Sequence, residues 1–342
     1  MPKKKKEDKA RKKNDAELKK IEKTLHKEYE KSFLSMKRQA DRYFSKFSAQ
    51  QERMLMKLDA GEITQKQFID WYNKEVVQNK KYDNLVHTLA REMVQTDKMA
   101  QDIVAGHMAD IYAEAYNYSA YEICKEAGYN FQFDLVDRRS VEKLVKEEGS
   151  LLPKKRGLNE KKDLAWNEKK IRSAITQGII RGDSVDNIAK RLRQVTDMDE
   201  KASVRNARTM TTSAECAGRQ DRYEEAEEKY GIQMQKTWIA TLDDRTRDEH
   251  AELDGVTIDV DEKFKNGLGE LMYPCDPDGD PENVYNCRCT MVSSIKGYAR
   301  DMSRRQMGSG ISGMSYEKWK EDAEKRSKEK ADKRNKHDDG DD

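Results

Sequence analysis

The sequence predicts an α+β protein: a long helical N-terminal region, then a small α+β domain with a short antiparallel sheet, then a charged C-terminal helix. Three observations carry this expectation. Between Pro2 and Pro153 there is no proline and little glycine, so the usual helix breakers are missing over about 150 residues. Apolar residues in that stretch recur every three or four positions, the helical period. Beyond Gly231 the period changes to two, and short runs separated by Asp/Gly turns read as strands.

Residues 1–20, MPKKKKEDKARKKNDAELKK, form a basic arm, read either as a solvated, disordered tail or as a contact to DNA. The helical region spans 21–137. Leu18, Ile21, Leu25, Tyr29, Phe33, Met36, Tyr43, Phe44 and Phe47 draw one stripe along an unusually long helix. Gly61 interrupts the pattern, and Thr64 with Gln67 forms a capping-box signature for a helix carrying Phe68, Trp71 and Tyr72. A third stripe runs from Leu85 through Leu89, Met93, Val104 and Met108 to Ile111. Residues 138–165 read as a charged connector, punctuated by Pro153 and Gly157.

The α+β domain is placed at 166–295. It opens with two helices meeting at an Arg181-Gly182 turn, the second capped by Asp183 or Ser184. The pair has the look of a helix-turn-helix, but helical hairpins that touch no DNA share it. A further helix ends at Gly231, and Met234, Lys236, Trp238 and Ala240 then alternate along a strand. Residues 296–342 form the charged helix, anchored at its start by Tyr316 and Trp319, and an acidic tail.

Composition narrows the function. Lys plus Arg (67) balances Asp plus Glu (65) to a net +2, so any case for nucleic acid must be local. With 39% charged and 35% hydrophobic residues, the cores must be modest. No window approaches about 18 uninterrupted apolar residues, so no membrane partner is expected. The basic start leads into no apolar segment, so a cytoplasmic chain rather than a secreted one is expected. Five cysteines, an odd number, should be reduced or metal-bound.

The cysteine pattern is the main chemical signal. If Asn286 to Val292 is a strand, its period of two puts Cys287 and Cys289 of NCRC on one face. Cys275 and His250 are the nearest further ligands, and three cysteines with one histidine match a closed structural zinc site in type and number. The alternative is a buried strand pair, a hydrogen-bonded histidine and a loop thiol. Upstream, Asp244 is placed to cap the helix carrying His250. Arg245 and Arg247 can bind phosphate or a partner, or pair with Asp243, Asp248 or Glu249.

The acidic DPDGD run fails the calcium-loop template, having Pro281 and Cys287 where glycine and glutamate are needed. Glu249 beside His250 lacks the second histidine of an HExxH site, and no glycine-rich phosphate loop is present, so no catalytic residue is assigned.

The order of these elements is distinctive. The run ART-x-TT-x-A-x-x-AGR (Ala207 to Arg219) is followed by W-x-x-x-x-DDRTR-x-x-H-x-x-LDG (Trp238 to Gly255). Then come Phe264, YP-x-DP (Tyr273 to Pro277) and P-x-NV-x-NCRC (Pro281 to Cys289). Together they resemble the phage head morphogenesis family, the minor head proteins that include the phage Mu F-like group. The resemblance spans about Trp166 to Ser294 and is carried by the paired D-x-RTR-x-x-H and NCRC motifs.

It implies a structural component of the virion, inside the capsid near the portal, that assists procapsid assembly, DNA packaging or ejection. The implied partners are portal protein, scaffold or major capsid protein, with DNA reached through the basic arm, and the implied places are the capsid interior and the host cytoplasm during assembly. In the family the position of Cys275 is usually glycine, which sets it apart from His250, Cys287 and Cys289. Two other readings stay open: a metal-dependent enzyme carried with the virion (a nuclease or a toxin-like transferase), and a DNA-binding accessory factor.

Overall fold

The computed structural model describes residues 9–77, 80–148, 159–181, 183–298, 310–311 and 313–338. The helices are α1 (Lys9–Phe44), α2 (Ser48–Asp59), α3 (Gln65–Tyr72), α4 (Lys80–Ala127), α5 (Arg138–Glu148), α6 (Glu160–Ile180), α7 (Val185–Tyr230), α8 (Asp248–Glu252), α9 (Pro281–Val284) and α10 (Tyr316–Asp338). The strands are β1 (Ile232–Ile239), β2 (Thr257–Asp259), β3 (Phe264–Asn266), β4 (Gly269–Leu271) and β5 (Thr290–Tyr298). This is the α+β fold the sequence predicts.

The chain divides into two compact units that are discontinuous in sequence. One comprises Met1–Lys19, Val104–Lys154 and Arg205–Asp342; the other comprises Lys20–Ile103 and Lys155–Val204. The linear division expected from composition therefore does not coincide with the compact units. The physical reason is that α1, α4 and α7 are long enough to contribute residues to both.

The second unit is helical throughout. Its core joins Met36, Tyr43 and Phe44 with Phe68, Tyr72, Leu89 and Met93, and with Ile171, Ile175 and Leu192 from the helix pair. The capping box at Thr64 is present: its hydroxyl accepts from the Gln67 amide while the Gln67 side chain accepts from the Thr64 amide. Ser184 accepts from the amide of Asn187 at the start of α7, as one of the two expected caps; Gly182 lies outside the described residues.

In the first unit β1 is the central strand of an antiparallel sheet ordered β2-β1-β5, and β3 pairs with β4. The register sets Trp238 opposite Met291 and Lys236 opposite both Ser293 and Ile258. Ile232, Met234, Lys236 and Trp238 point inward, the alternation read from the sequence. Gly231, at φ 61°, ends α7 and turns the chain into β1.

One core of this unit gathers Tyr121, Phe133, Tyr223, Met234, Met291 and Trp319. A second, smaller one contains Trp238, Leu253, Phe264, Leu271, Val284 and three cysteines. Tyr316 and Trp319 are buried and anchor α10, as expected.

Two local expectations are corrected. Residues 9–20 are helical rather than a loose tail, because Arg11 and Asn14 are held by the carboxylate of Glu215 on α7; residues 1–8 lie outside the described residues. The connector 138–165 contains α5 and the start of α6, the latter capped by the Asn159 side chain on the Lys162 amide. Residues 149–158 lie outside the described residues.

Candidate metal centre

The NCRC segment precedes the strand instead of opening it: β5 begins at Thr290, and Cys287 to Cys289 run as irregular backbone. Both cysteines are nevertheless directed at one point. The Sγ atoms of Cys287 and Cys289 lie 3.4 Å and 3.6 Å from Nδ1 of His250. The three ligand atoms all fall within 4.8 Å of one another, and all three residues are buried. A tetrahedral zinc with bonds of about 2.3 Å to sulfur and about 2.0 Å to nitrogen has an N···S edge of about 3.5 Å, so the spacing fits.

Geometry also argues against ordinary thiol hydrogen bonding as a full account. One imidazole nitrogen has a single lone pair, and two sulfurs share it here. The amide of Cys289 meanwhile donates to Sγ of Cys287 at 3.4 Å, a contact that stabilises a thiolate. Without a cation both protons stay on. The neighbouring thiol, Cys275 for Cys287 and Cys287 for Cys289, acts together with burial to push both pKa values above the ordinary value. A bound divalent ion would reverse that balance by displacing the protons. Burial works to lower the pKa of His250, but its bonds to Cys289 and Asn283 outweigh this and leave it raised.

Cys275 stands beside the trio but outside it. Its sulfur lies 3.4 Å from the Val284 carbonyl and 3.7 Å from that of Cys287, which share its one proton. Its backbone sits at φ 62°, a left-handed conformation that glycine adopts most readily.

The signature motifs brace this centre. Asp243 receives both Arg288 guanidinium nitrogens at 2.5 Å, clamping the DDRTR turn to the arginine between the two cysteines. Its pKa is lowered well below the ordinary carboxylate value, chiefly by Arg288. The Arg288 carbonyl accepts from Thr241 at 2.7 Å and from Arg11 at 2.8 Å. On the other side Asn286, at φ 59°, is held by α7: its amide donates to Thr209 at 2.8 Å and its side chain accepts from Arg208 at 2.9 Å. Residues 77 and 78 positions apart in the chain thus meet at NCRC.

Sequence reasoning placed the cap wrongly. The residue before α8 is Arg247, with no side-chain cap, and Asp243 rather than Asp244 organises the turn by accepting from the Arg245 amide. Arg247 donates to the Tyr285 carbonyl at 2.6 Å, and Arg245 lies 3.6 Å from Asp243 with most of its side chain exposed. Arg245 thus pairs with one of the expected acids, whereas the contact of Arg247 is to a backbone carbonyl and not to an acid.

Two further residues of the site escaped the sequence reading. Nε2 of His250 lies 2.8 Å from Oδ1 of Asn283, which is fully buried and paired with Asn266. Asn283 is the N of P-x-NV-x-NCRC, so its motif position was the available signal. Asn266, in a lone KNG turn, offered none.

Segments from α7, the DDRTR turn and NCRC are thus locked together around a CxC pair. Residues 169–292 match the family described as Phage Mu protein F like protein.

Among individual relatives, the chain is similar to the minor head protein GP7 of Bacillus phage SPP1, 26% identical over 303 residues, which cover 87% of this chain and 91% of that protein. It is also similar to the NAD(+)–arginine ADP-ribosyltransferase EFV of Enterococcus faecalis, 33% identical over 162 residues, 46% of this chain. An uncharacterized protein of Haemophilus influenzae is 30% identical over 123 residues, 36% of this chain. The chain spans 31% of the length of the transferase and 24% of the Haemophilus protein. No solved structure matches significantly. The expected minor head family is borne out.

Proposed function

We propose that this chain is a minor head protein of a phage, a virion component that acts by binding portal, scaffold or major capsid subunits during head assembly, packaging or ejection. The observation that carries the reading is the likeness to a minor head protein along 91% of that relative's length. The transferase likeness covers only 31% of that enzyme and so weighs less for this chain than the minor head likeness. Among the described residues, no helix is long and apolar enough to cross a membrane.

Within this role His250, Cys287 and Cys289 hold a structural zinc ion, and Cys275 supplies the fourth ligand by releasing the two carbonyls. Burial of all three grouped ligands favours a closed site over an open catalytic one. The ion would fasten a core that is otherwise small.

Co-purification of the full chain with candidate portal, scaffold and major capsid subunits tests the role: a stable complex with one of them is expected. Absence of any complex, together with NAD-dependent labelling of arginine substrates, would reverse the ranking in favour of the transferase. Elemental analysis tests the metal. About one zinc per chain is expected, lost in Cys287→Ser. In the cobalt-substituted protein, Cys275→Gly should reduce thiolate-to-metal absorption; an unchanged spectrum would remove Cys275 from the ligand set.

A further inference from the structure

Hydrogen-bond directions around His250 form a closed chain of deduction. The amide of Leu268 lies 2.9 Å from Oδ1 of Asn266, and a backbone N–H can only donate, so that side-chain atom is the oxygen. The other terminal atom of Asn266 is therefore its nitrogen, which can only donate and does so to Oδ1 of Asn283 at 3.1 Å. Asn283 returns the bond through Nδ2 to Oδ1 of Asn266, also at 3.1 Å. The atom facing Nε2 of His250 at 2.8 Å is thereby fixed as an oxygen, an acceptor. Nε2 must carry the proton, and the lone pair of the neutral ring sits on Nδ1, the atom facing both sulfurs.

We infer that Asn266 and Asn283 are positioning residues that hold His250 as the Nε2–H tautomer and so present Nδ1 as a ready metal ligand. The inference rests on the metal reading above for its purpose, but the tautomer itself does not depend on a metal.

The pair is suited to the task. Asn283 is fully buried and Asn266 half-buried, so water competes little for these bonds. Both belong to short elements packed on the site: Asn266 ends β3, and Asn283 lies in the single turn of α9 just before NCRC. An outer-shell acceptor on a ligating histidine fixes both ring orientation and tautomer, and its loss typically costs about 10–100-fold in metal affinity. Trp238 also packs against the imidazole in a T-shaped arrangement with centroids 5.4 Å apart. The asparagines therefore choose the tautomer, while the tryptophan limits the tilt.

The test uses the full chain, reduced and metal-free, with ¹⁵N-labelled histidine. His250 is assigned by its absence in His250→Gln, and long-range proton–nitrogen correlations report which ring nitrogen is protonated. A protonated Nε2 and an unprotonated Nδ1 are expected; the opposite pattern overturns the inference whatever the metal content.

Zinc and cobalt(II) titrations then compare Asn283→Leu with Asn283→Asp. The leucine variant should bind about 10–100-fold more weakly, and the aspartate variant, which still accepts from Nε2–H, should recover most of the affinity. Equal weakening in both variants would make Asn283 merely a packing residue and overturn its positioning role. If neither ion binds the wild type while Nε2 is protonated, the metal reading fails and the tautomer assignment stands. If ions bind through Nε2, the metal reading survives and the positioning role of the two asparagines falls.

Discussion

Glu215 lies inside the ART-x-TT-x-A-x-x-AGR segment, four residues before its closing Arg219, and its surroundings give a sharp test of how that segment is held. Its carboxylate is 1% exposed and accepts from Arg11 at 3.0 Å, Arg219 at 3.1 Å, Thr290 at 3.0 Å, and Asn14. Arg219 is itself fully buried. In Glu215→Gln the side chain keeps one oxygen, but its new NH2 group faces donors and the negative charge is gone. Removing one partner of a buried ion pair costs about 3–5 kcal/mol, mostly because the other charge stays behind.

For a unit of about 200 residues each kcal/mol moves the midpoint by about 2–4 °C, so a fall of about 10 °C is expected. Calorimetry of the full chain at neutral pH measures it, with Glu252→Gln on the exposed face of α8 as the control. A shift under about 2 °C would refute the reasoning, since the two guanidiniums would then have found other compensation. A pH series checks it again. Burial alone would raise the pKa of Glu215, but Arg11 and Arg219 with the Asn14 and Thr290 bonds leave it lowered. Its stabilisation is therefore complete above the ordinary glutamate value of about 4.3 and is lost as pH falls through the depressed folded value. The gap between wild type and Glu215→Gln should narrow only in that acid range.

Three more outcomes are expected. A Cβ at Gly218 would meet the Tyr112 carbonyl at 2.5 Å and the Tyr116 amide at 3.2 Å, so Gly218→Ala must push α7 away from α4, at about 1–3 kcal/mol in chemical denaturation; an unchanged midpoint would show that the helices part freely. Lys236 is fully buried, bonded to Gln220 and the Met272 carbonyl, and burial pushes its pKa down to about 8. The unfolded chain then holds more protons between pH 8 and about 10.4, so stability should climb across that window by about 3 kcal/mol relative to Lys236→Met, and parallel profiles would contradict the shift. Asp243→Ala should unclamp Arg288 and speed the reaction of Cys287 and Cys289 with a thiol reagent several-fold, whereas an unaltered rate would mean the Asp243–Arg288 pair does not hold NCRC.

Much of the fold was legible because periodicity and capping chemistry act locally. The stripe from Leu18 to Phe44 specifies α1, with Phe47 falling in the 3-10 turn beyond it; Thr64 and Gln67 specify the start of α3, and the alternation from Met234 to Trp238 specifies β1. What the sequence could not display was contact between distant segments. Arg11 reads as one more charge in a basic arm until Glu215, 204 positions away, is placed beside it. The same blindness made the units look linear, since nothing in a helical stripe says where one packing partner gives way to the next.

The candidate site was legible as residue types and illegible as geometry. His250, Cys287 and Cys289 stand out because histidine and cysteine are rare in this chain, yet a shared strand face, the expectation from their spacing, is not what brings them together. They converge because the irregular turn is gripped from several sides: Thr209 and Arg208 hold Asn286, Asp243 holds the Arg288 side chain, and Thr241 and Arg11 hold its carbonyl.

That arrangement explains why the signature is a set of spaced fragments rather than one continuous motif. A strand would have fixed both sulfurs through the ladder alone and required nothing elsewhere. A turn ordered by side chains needs each grip at its own place in the chain, so ART, DDRTR and NCRC form one device. It follows that substitutions at Thr209, Asp243 or Asn286 should disturb the sulfur pair before they disturb the sheet, whose register from Ile239–Thr290 onward is set by backbone bonds.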